Sequence, residues 1–278
     1  MILLGVALIL VATLLNELEN VVDKKQFAKH HLTHYTVGFL TTFWSFLFFV
    51  GIQYFGSGFE FSTDSLPTLI PRIILEILLG TLAIRGMLAA NLSTTSLVRL
   101  LTIPGLLLVD YLVGYELQSS QLLGMILIFV AMLILTVNNK IKKDGIGLLT
   151  LGALIAVATT SLFKYNIENF NSVATEQSIV LFAYLFYFGL QMMRNAEYPI
   201  KTLRKVWAEE ISLFAGFATV LNSFALSLLP PSLMLTFKRS GSMGWSLVLG
   251  QKVFHEHHII RKIIAASVAL CGVVLIAI

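Results

Sequence analysis

The end of the chain consists of two long apolar segments separated by a short charged turn. The first, Ser232–Leu249, carries Lys238 and Arg239, and the second begins at Ile259. Each is close to the roughly 20 residues that a helix needs to cross a hydrocarbon core of about 30 Å. A cation inside such a helix costs about 3 kcal/mol or more and usually faces a polar cavity or a partner. These segments therefore predict a membrane protein with a polar site at membrane depth.

The composition supports the same interpretation. Apolar residues make up 57% of the 278, charged residues 12%, and the mean hydropathy is +0.86. A soluble domain carries roughly 25% charged residues, so this chain is expected to lie in lipid. The net charge of +4 comes from cations in short loops, which indicates membrane topology rather than nucleic-acid binding. The single Cys271 excludes an intramolecular disulfide.

Ten apolar segments follow one another along the chain and predict an all-α integral membrane protein with ten transmembrane helices. Their division at the basic stretch 140–143 predicts a first five-helix repeat over residues 1–139 and a second over 140–278. The segments are Ile2–Val22, Thr36–Phe55, Leu69–Met87, Asn91–Val113, Gln121–Val137, Gly145–Tyr165, Glu176–Met193, Glu209–Leu228, Ser232–Leu249 and Ile259–Ile278.

The two halves show signs of duplication. Asn91–Val113 carries Arg99 and is followed by a turn with Glu116 and a last apolar segment, which is the plan of the C-terminal end. A shift of 140 positions aligns Arg99 with Arg239, and it also aligns two further charges, Lys24 with Lys164 and Glu116 with Glu256. Because five helices is an odd number, a duplication places the halves in opposite orientations. That is the inverted-repeat plan of many secondary transporters.

The charges of the connections predict the orientation. Fourteen of the 19 lysines and arginines lie in odd-numbered connections, and only Arg72 lies in an even-numbered one. Cytoplasmic loops carry the excess of Lys and Arg. The odd connections are therefore expected in the cytoplasm of a multi-pass inner-membrane protein, with both termini outside.

Two stretches carry a resemblance to a known family. They are LLPPSLMLTFKRSGSMGWSLVLGQKVFHE (Leu228–Glu256) and VRLLTIPGLLLVDYLVGYE (Val98–Glu116). They resemble the drug/metabolite transporter superfamily, specifically its ten-helix EamA-like carriers. In that family each half ends with a cavity-lining helix, a turn with a Glu and a peripheral helix rich in small residues, here with Gly124 and Gly272. The resemblance implies a carrier of small metabolites without an ATPase. It would place both termini in the cytoplasm, against the loop charges, and we take the orientation from the charges.

The first segment becomes polar toward its C-terminal end. Thr13, Glu17, Asn20 and Lys24 recur at helical spacing and share one face. This face either lines a polar cavity, with Glu17 as a proton or cation site, or belongs to a solvated helix end beyond Leu15.

Arg99 and Arg239 lie about eight residues inside their segments, and Lys238 adjoins Arg239. A guanidinium suits a carboxylate or a phosphate. Both arginines are expected either to bind an anionic group or to reach toward lipid headgroups. We expect Glu17 to lie closest to Arg99, and Arg239 to remain free for the substrate. The following Ser240–Gly244 predicts a close backbone approach or a break in the helix.

Other candidates have simpler alternatives. Lys164 is either a substrate contact or a snorkelling lysine, and Glu76 is expected to pair with Arg72 four residues earlier on one helix. Tyr187 and Gln191 are the best substrate candidates among the aromatic bands of the second and seventh segments. The run from His255 to His258 lacks the spacing of a metal motif, so neither a metal nor a cofactor is expected.

These patterns favour a secondary transporter over an enzyme, because no nucleophile, base or metal set converges in the sequence. The expected partners are a small-molecule substrate of anionic character, membrane lipid and a coupling proton or cation, with a homodimer left open. A flippase for lipid-linked phosphates, or another lipid-handling protein, is the alternative, since Arg99 and Arg239 would also suit a phosphate headgroup.

Overall fold

The chain is helical throughout the part that the computed structural model describes, which comprises residues 2–56, 58–112, 119–136, 145–203, 206–228, 231–255 and 259–277. A short 3-10 turn, Thr63–Ser65, precedes the third helix. The helices are α1 (Ile2–His30), α2 (His34–Phe55), α3 (Leu66–Ala89), α4 (Leu92–Arg99), α5 (Thr102–Leu112), α6 (Ser119–Thr136), α7 (Ile146–Asn169), α8 (Val173–Arg194), α9 (Pro199–Leu203), α10 (Val206–Leu228), α11 (Pro231–Phe254) and α12 (Ile259–Ala277).

Five stretches of the described chain are long and apolar enough to cross a membrane, and two further helical stretches are apolar but shorter. Their exposed faces carry large apolar side chains such as Ile74, Phe182 and Phe186, each at least 60% exposed. Helices satisfy their own backbone hydrogen bonds, which lipid requires. The described chain is thus all-α, and its long apolar helices indicate a membrane protein. The five stretches are Leu4–His30, His34–Phe55, Thr63–Ala89, Ile146–Asn169 and Val173–Arg194.

The fourth predicted segment is broken in the middle into α4 and α5. Pro104 has no backbone N–H to donate to the carbonyl of Leu100. The N–H of Ile103 donates to that carbonyl instead, at 3.0 Å, and the N–H of Leu101 donates to the carbonyl of Val98 at 3.1 Å. These shorter-range bonds tighten the chain at Leu100 and Leu101, so Arg99 becomes the last residue of α4.

Helix boundaries recur at a constant offset along the chain. The first residues of α2 and α8 are 139 positions apart (173 minus 34), and their last residues are also 139 apart (194 minus 55). The same offset relates the ends of α1 and α7 (169 minus 30) and the starts of α4 and α11 (231 minus 92). Thr33 caps α2 and Ser172 caps α8 in the same way: each side-chain oxygen accepts a hydrogen bond from the backbone N–H three residues later.

The helices pack in pairs. α1 runs along α10, α3 along α7, α2 along α8 and α6 along α12, while α11 crosses both α1 and α4. Small residues allow the closest of these contacts. A Cβ on Gly272 of α12 would lie 2.6 Å from the carbonyl oxygen of Gly124 in α6, so these two backbones touch directly.

Candidate functional site

Glu17 lies in the middle of α1 and is completely buried. Its Oε1 accepts hydrogen bonds from the hydroxyls of Ser242 in α11 and Ser96 in α4, the latter at 3.3 Å, and its Oε2 accepts from Asn20 Nδ2 at 3.3 Å. The alternative of a solvated helix end beyond Leu15 is therefore wrong. The α1 face predicted from helical spacing is turned toward α4 and α11.

The other members of this face make contacts on the same side of α1. A Cβ on Gly241 of α11 would lie 2.8 Å from Thr13 Oγ1, so the two helices approach closely there. At the other end, Lys24 Nζ donates to the carbonyl oxygen of Ala90, between α3 and α4. The stretch Ser240–Gly244 thus produces a close approach, whereas α11 continues unbroken through it.

A cavity of about 390 Å³ lies on the adjacent face of α1. Three cations border it: Arg99 from the end of α4, and Lys238 and Arg239 from α11. One carboxylate, Glu19, borders it as well. The remaining lining residues are Asn16, Asn20, Leu79, Gly80, Ala83, Leu149, Gly152, Ala153, Ala156, Tyr184 and Thr219.

The three cations have hydrogen-bond and longer-range electrostatic partners, and the latter include Glu19, which interacts with Arg99 and Lys238. Arg239 Nε donates to Thr102 Oγ1 at 3.0 Å, and the Thr102 hydroxyl donates in turn to the backbone carbonyl of Arg99 at 2.8 Å. Within the described residues, none of the three cations forms a salt bridge. These three cations outnumber the one carboxylate, Glu19, so an excess of positive charge in a cavity of low dielectric attracts a ligand of the opposite sign.

A second cavity, of about 280 Å³, adjoins the first. Both are bordered by Lys238 and Arg239, together with Asn16, Leu79, Ala156 and Thr219. The second cavity continues toward the N-terminal end of α3 and the C-terminal end of α7. Its other lining residues are Arg72, Glu76, Thr159, Thr160, Phe163, Gln177, Asn222, Ser223, Leu226, Met234 and Leu235.

A buried ion pair closes the far end of the second cavity. Arg72 Nη1 of α3 lies 2.6 Å from Glu176 Oε1 of α8, and the Arg72 guanidinium lies 4.1 Å from the centre of the Phe163 ring. Asn166 Nδ2 and Asn171 Nδ2 donate to the two oxygens of Glu176 at 2.7 Å and 2.6 Å. The polar network therefore ties α3, α7 and α8 together at this end.

The predicted pairing of Arg72 with Glu76 is wrong. Arg72 turns to Glu176 on another helix, and Glu176 also accepts hydrogen bonds from the amides of Asn166 and Asn171. Glu76 Oε2 instead accepts from the Tyr184 hydroxyl at 3.3 Å, and that hydroxyl also donates to the Glu76 carbonyl. Helical spacing alone predicted the pair, and a stronger tertiary partner replaced it.

Four predicted site residues border neither cavity, and the first of them is Glu17, whose carboxyl is turned toward Ser242 and Ser96. Lys164 Nζ lies 3.0 Å from Glu168 Oε1 and donates to the carbonyl oxygen of Leu226 at 3.2 Å. Tyr187 packs edge-on against Phe188 within an apolar cluster. Gln191 lies one turn further along α8 and borders neither cavity. Glu116, the stretch 140–143 and residues 256–258 lie outside the described residues.

Sequence reasoning missed several cavity residues, of which Glu19 and Asn16 matter most. They lie beside the predicted α1 face, at a spacing of three residues. Both precede Asn20, which belongs to the predicted face and also borders the cavity. Since Asn16, Glu19 and Asn20 are spaced as one face of a helix, a second polar face of α1 was readable from the sequence.

The site can hold a small anion between Arg99, Lys238 and Arg239, with hydroxyl and amide groups around it. Among the described residues, no group of three His, Cys, Asp or Glu side chains could hold a metal ion. No model of a known protein family matches the chain, and no curated protein matches it.

Proposed function

We propose that this chain is a secondary transporter that moves a small anionic metabolite across a membrane. The observation that carries the proposal is the cavity bordered by Arg99, Lys238 and Arg239, none of which forms a salt bridge among the described residues. An unpaired cation in a membrane interior is costly. A bound anion would offset that cost in each transport cycle.

Alternating access in this proposal rests on two inverted five-helix repeats in a ten-span protein. The repeated helix boundaries, offset by 139 positions, support a duplication (194 minus 55, for example). The packing supports it too, because exchanging the halves turns the α1–α10 pair into the α7–α3 pair and maps the α2–α8 and α6–α12 pairs onto themselves. This offset makes Lys238 the counterpart of Arg99, where the sequence alignment had chosen Arg239.

The packing also differs between exchanged pairs, which supports two alternating states. α2 packs closely against α10, whereas the exchanged pair of α8 and α3 meets over a smaller area. At the end of the α3–α8 pair, the Arg72–Glu176 ion pair closes the second cavity. The position equivalent to Glu176 in α2 is Val37. The α2–α10 pair therefore has no carboxylate at the position where the α8–α3 pair has Glu176.

Loop charge supports an orientation with both termini outside an inner membrane. The Arg72–Glu176 end then faces outward, because it lies beside the α2–α3 and α7–α8 connections. Glu17 is proposed as the site of a coupling proton or cation, since its buried carboxyl accepts three hydrogen bonds and has no salt bridge among the described residues. The resemblance to EamA-like carriers agrees with this mechanism.

Uptake by proteoliposomes tests the proposal. The purified full chain is reconstituted, and uptake of radiolabelled gluconate, succinate and inorganic phosphate is measured against protein-free vesicles. Uptake of at least one anion is expected, with a loss of at least tenfold in Arg239→Gln. Arg194→Gln is the matched control, since this exposed arginine ends α8 away from both cavities.

The same vesicles separate the proposal from lipid handling. A flippase would leave all three solutes outside while moving a fluorescent phosphate-headgroup lipid between leaflets. Lipid movement without solute uptake would contradict a metabolite transporter. An Arg239→Gln variant that takes up solute at the normal rate would contradict the site.

A further inference from the structure

We infer that the transported anion carries a neutral hydroxylated arm, which lies in the second cavity while its anionic group lies among the three cations. This inference rests on the proposed function and names its substrate class. It follows from the hydrogen-bonding groups of the two cavities: three cationic donors border the first, whereas the second adds a buried acceptor without a hydrogen-bond partner to the two cations that it shares with the first.

The cation end presents donors. Arg99, Lys238 and Arg239 border the first cavity, and guanidinium and ammonium groups donate but never accept. The single contact that fixes one of them, Arg239 Nε to Thr102 Oγ1 at 3.0 Å, uses only one of that guanidinium's five N–H groups. The remaining donors suit a carboxylate or a phosphate.

The second cavity presents acceptors. Asn222 is 8% exposed and borders it. The amide nitrogen of Asn222 donates to the carbonyl of Ala218 at 2.8 Å, whereas its Oδ1 is buried without a hydrogen-bond partner in the described structure. A buried acceptor left unpaired costs about 1–3 kcal/mol. This cost is removed by a ligand that donates a hydrogen bond at this point.

Two threonines that border the second cavity also present hydrogen-bond acceptors. The hydroxyl of Thr159 donates to the carbonyl of Ala156 at 3.2 Å, and that of Thr219 donates to the carbonyl of Ala215 at 2.8 Å. A hydroxyl has a single hydrogen, so each of these two oxygens can offer a ligand only an acceptor, and Thr219 Oγ1 already accepts one hydrogen bond, from Ser45 at 3.3 Å. The same lining includes a buried donor without a hydrogen-bond partner in the described structure, Arg72 Nε. A ligand hydroxyl suits this lining because it both donates and accepts.

The donors are neutral because the wall is positively charged. Lys238 and Arg239 border the second cavity as well as the first. Arg72 is neutralised by Glu176 at 2.6 Å, which leaves Glu76 as the one carboxylate on the lining against two cations. A ligand ammonium would be repelled by this balance, whereas a hydroxyl group would not.

Matched ligands test the inference in the detergent-solubilised full chain. Isothermal titration calorimetry compares gluconate, hexanoate and 6-aminohexanoate, which share a carboxylate and a six-carbon chain. Gluconate is expected to bind at least tenfold more tightly than hexanoate, and 6-aminohexanoate no more tightly than hexanoate. Equal affinity for gluconate and hexanoate, or a preference for the amine, would overturn the inference while anion binding stands.

Matched variants test the acceptor. Asn222→Thr and Asn222→Val have the same shape, but only the threonine retains an oxygen. The threonine variant is expected to retain the gluconate preference and the valine variant to lose it. Loss in both variants, or in neither, would overturn the role of Asn222. Asn195→Val is the control, because Asn195 makes the same bond to the carbonyl four residues earlier, at 2.8 Å, on an exposed helix end.

A second pair of variants keeps the test decisive if Asn222→Val does not fold. Thr159→Ser retains the acceptor at Thr159 and Thr159→Val removes it, and only the latter is expected to weaken the gluconate preference. If no anion binds the wild type and Arg239→Gln behaves identically, then the transporter proposal itself fails, and this result is distinct from a missing preference among anions.

Discussion

Arg72 and Glu176 form an ion pair at 2.6 Å in which neither side chain is more than 1% exposed. The Glu176 carboxylate also accepts hydrogen bonds from the side-chain amides of Asn166 and Asn171. Removing one partner of such a pair leaves a buried charge without compensation, which typically costs 3–5 kcal/mol. The pair is therefore a sensitive test of the packing of α3 against α8.

Glu176→Gln is expected to lower the free energy of unfolding by about 3 kcal/mol. The measurement is a thermal or denaturant unfolding curve in detergent. Glu168→Gln is the control, because the Glu168 side chain is 57% exposed in its ion pair with Lys164. Exposed ion pairs contribute about 0–1 kcal/mol to stability. Equal stability of the two variants would contradict the buried-pair assignment.

Glu17→Gln is expected to uncouple transport from a proton or cation gradient while solute exchange across the vesicle continues. Glutamine keeps the shape of the side chain and an acceptor for Ser242 and Ser96, but it cannot bind and release a proton. The measurement compares gradient-driven uptake with counterflow in the same vesicles. Gradient-driven uptake at the wild-type rate would remove Glu17 from the coupling role.

Gly241→Ala is expected to destabilise the protein by about 1–3 kcal/mol. The added Cβ would lie 2.8 Å from Thr13 Oγ1 on α1, and a threonine side chain is stiff at its first torsion angle. Gly244→Ala in the same helix is the control, because its Cβ would meet nothing within 4 Å. If the two substitutions shift the unfolding curves equally, then Gly241 is not required for the close approach of α1 and α11.

The proposed orientation predicts opposite labelling at two exposed positions. In a Cys271→Ser background, Thr63→Cys is expected to react with an impermeant thiol reagent added to intact cells, and Ala28→Cys is expected to react only after lysis. Both positions are exposed. The reverse pattern would place the termini in the cytoplasm.

Helix positions were readable from the sequence because long apolar runs in lipid have few alternatives to a helix. Placing Arg99 and Arg239 beside one cavity also followed from the cost of a cation in a membrane. The break before Thr102 was missed because hydropathy is continuous across it, although Pro104 was in view. The partner of Arg72 was missed because neighbours on one helix are visible in a sequence, whereas Glu176 is brought close only by the packing of α8 on α3.

The break between α4 and α5 makes Arg99 different from the two cations of α11. Arg99 ends a half-helix, where the aligned peptide dipoles give a partial negative charge of roughly half an electron. This partial charge stabilises the guanidinium by about 0.3–2 kcal/mol without any acidic side chain. Lys238 and Arg239 lie within α11, at least 15 residues before its C-terminal end at Phe254 (254 minus 239), beyond the reach of such an effect. A fixed peptide dipole does not leave with a solute, so its contribution at Arg99 would be the same at every stage of the proposed transport cycle.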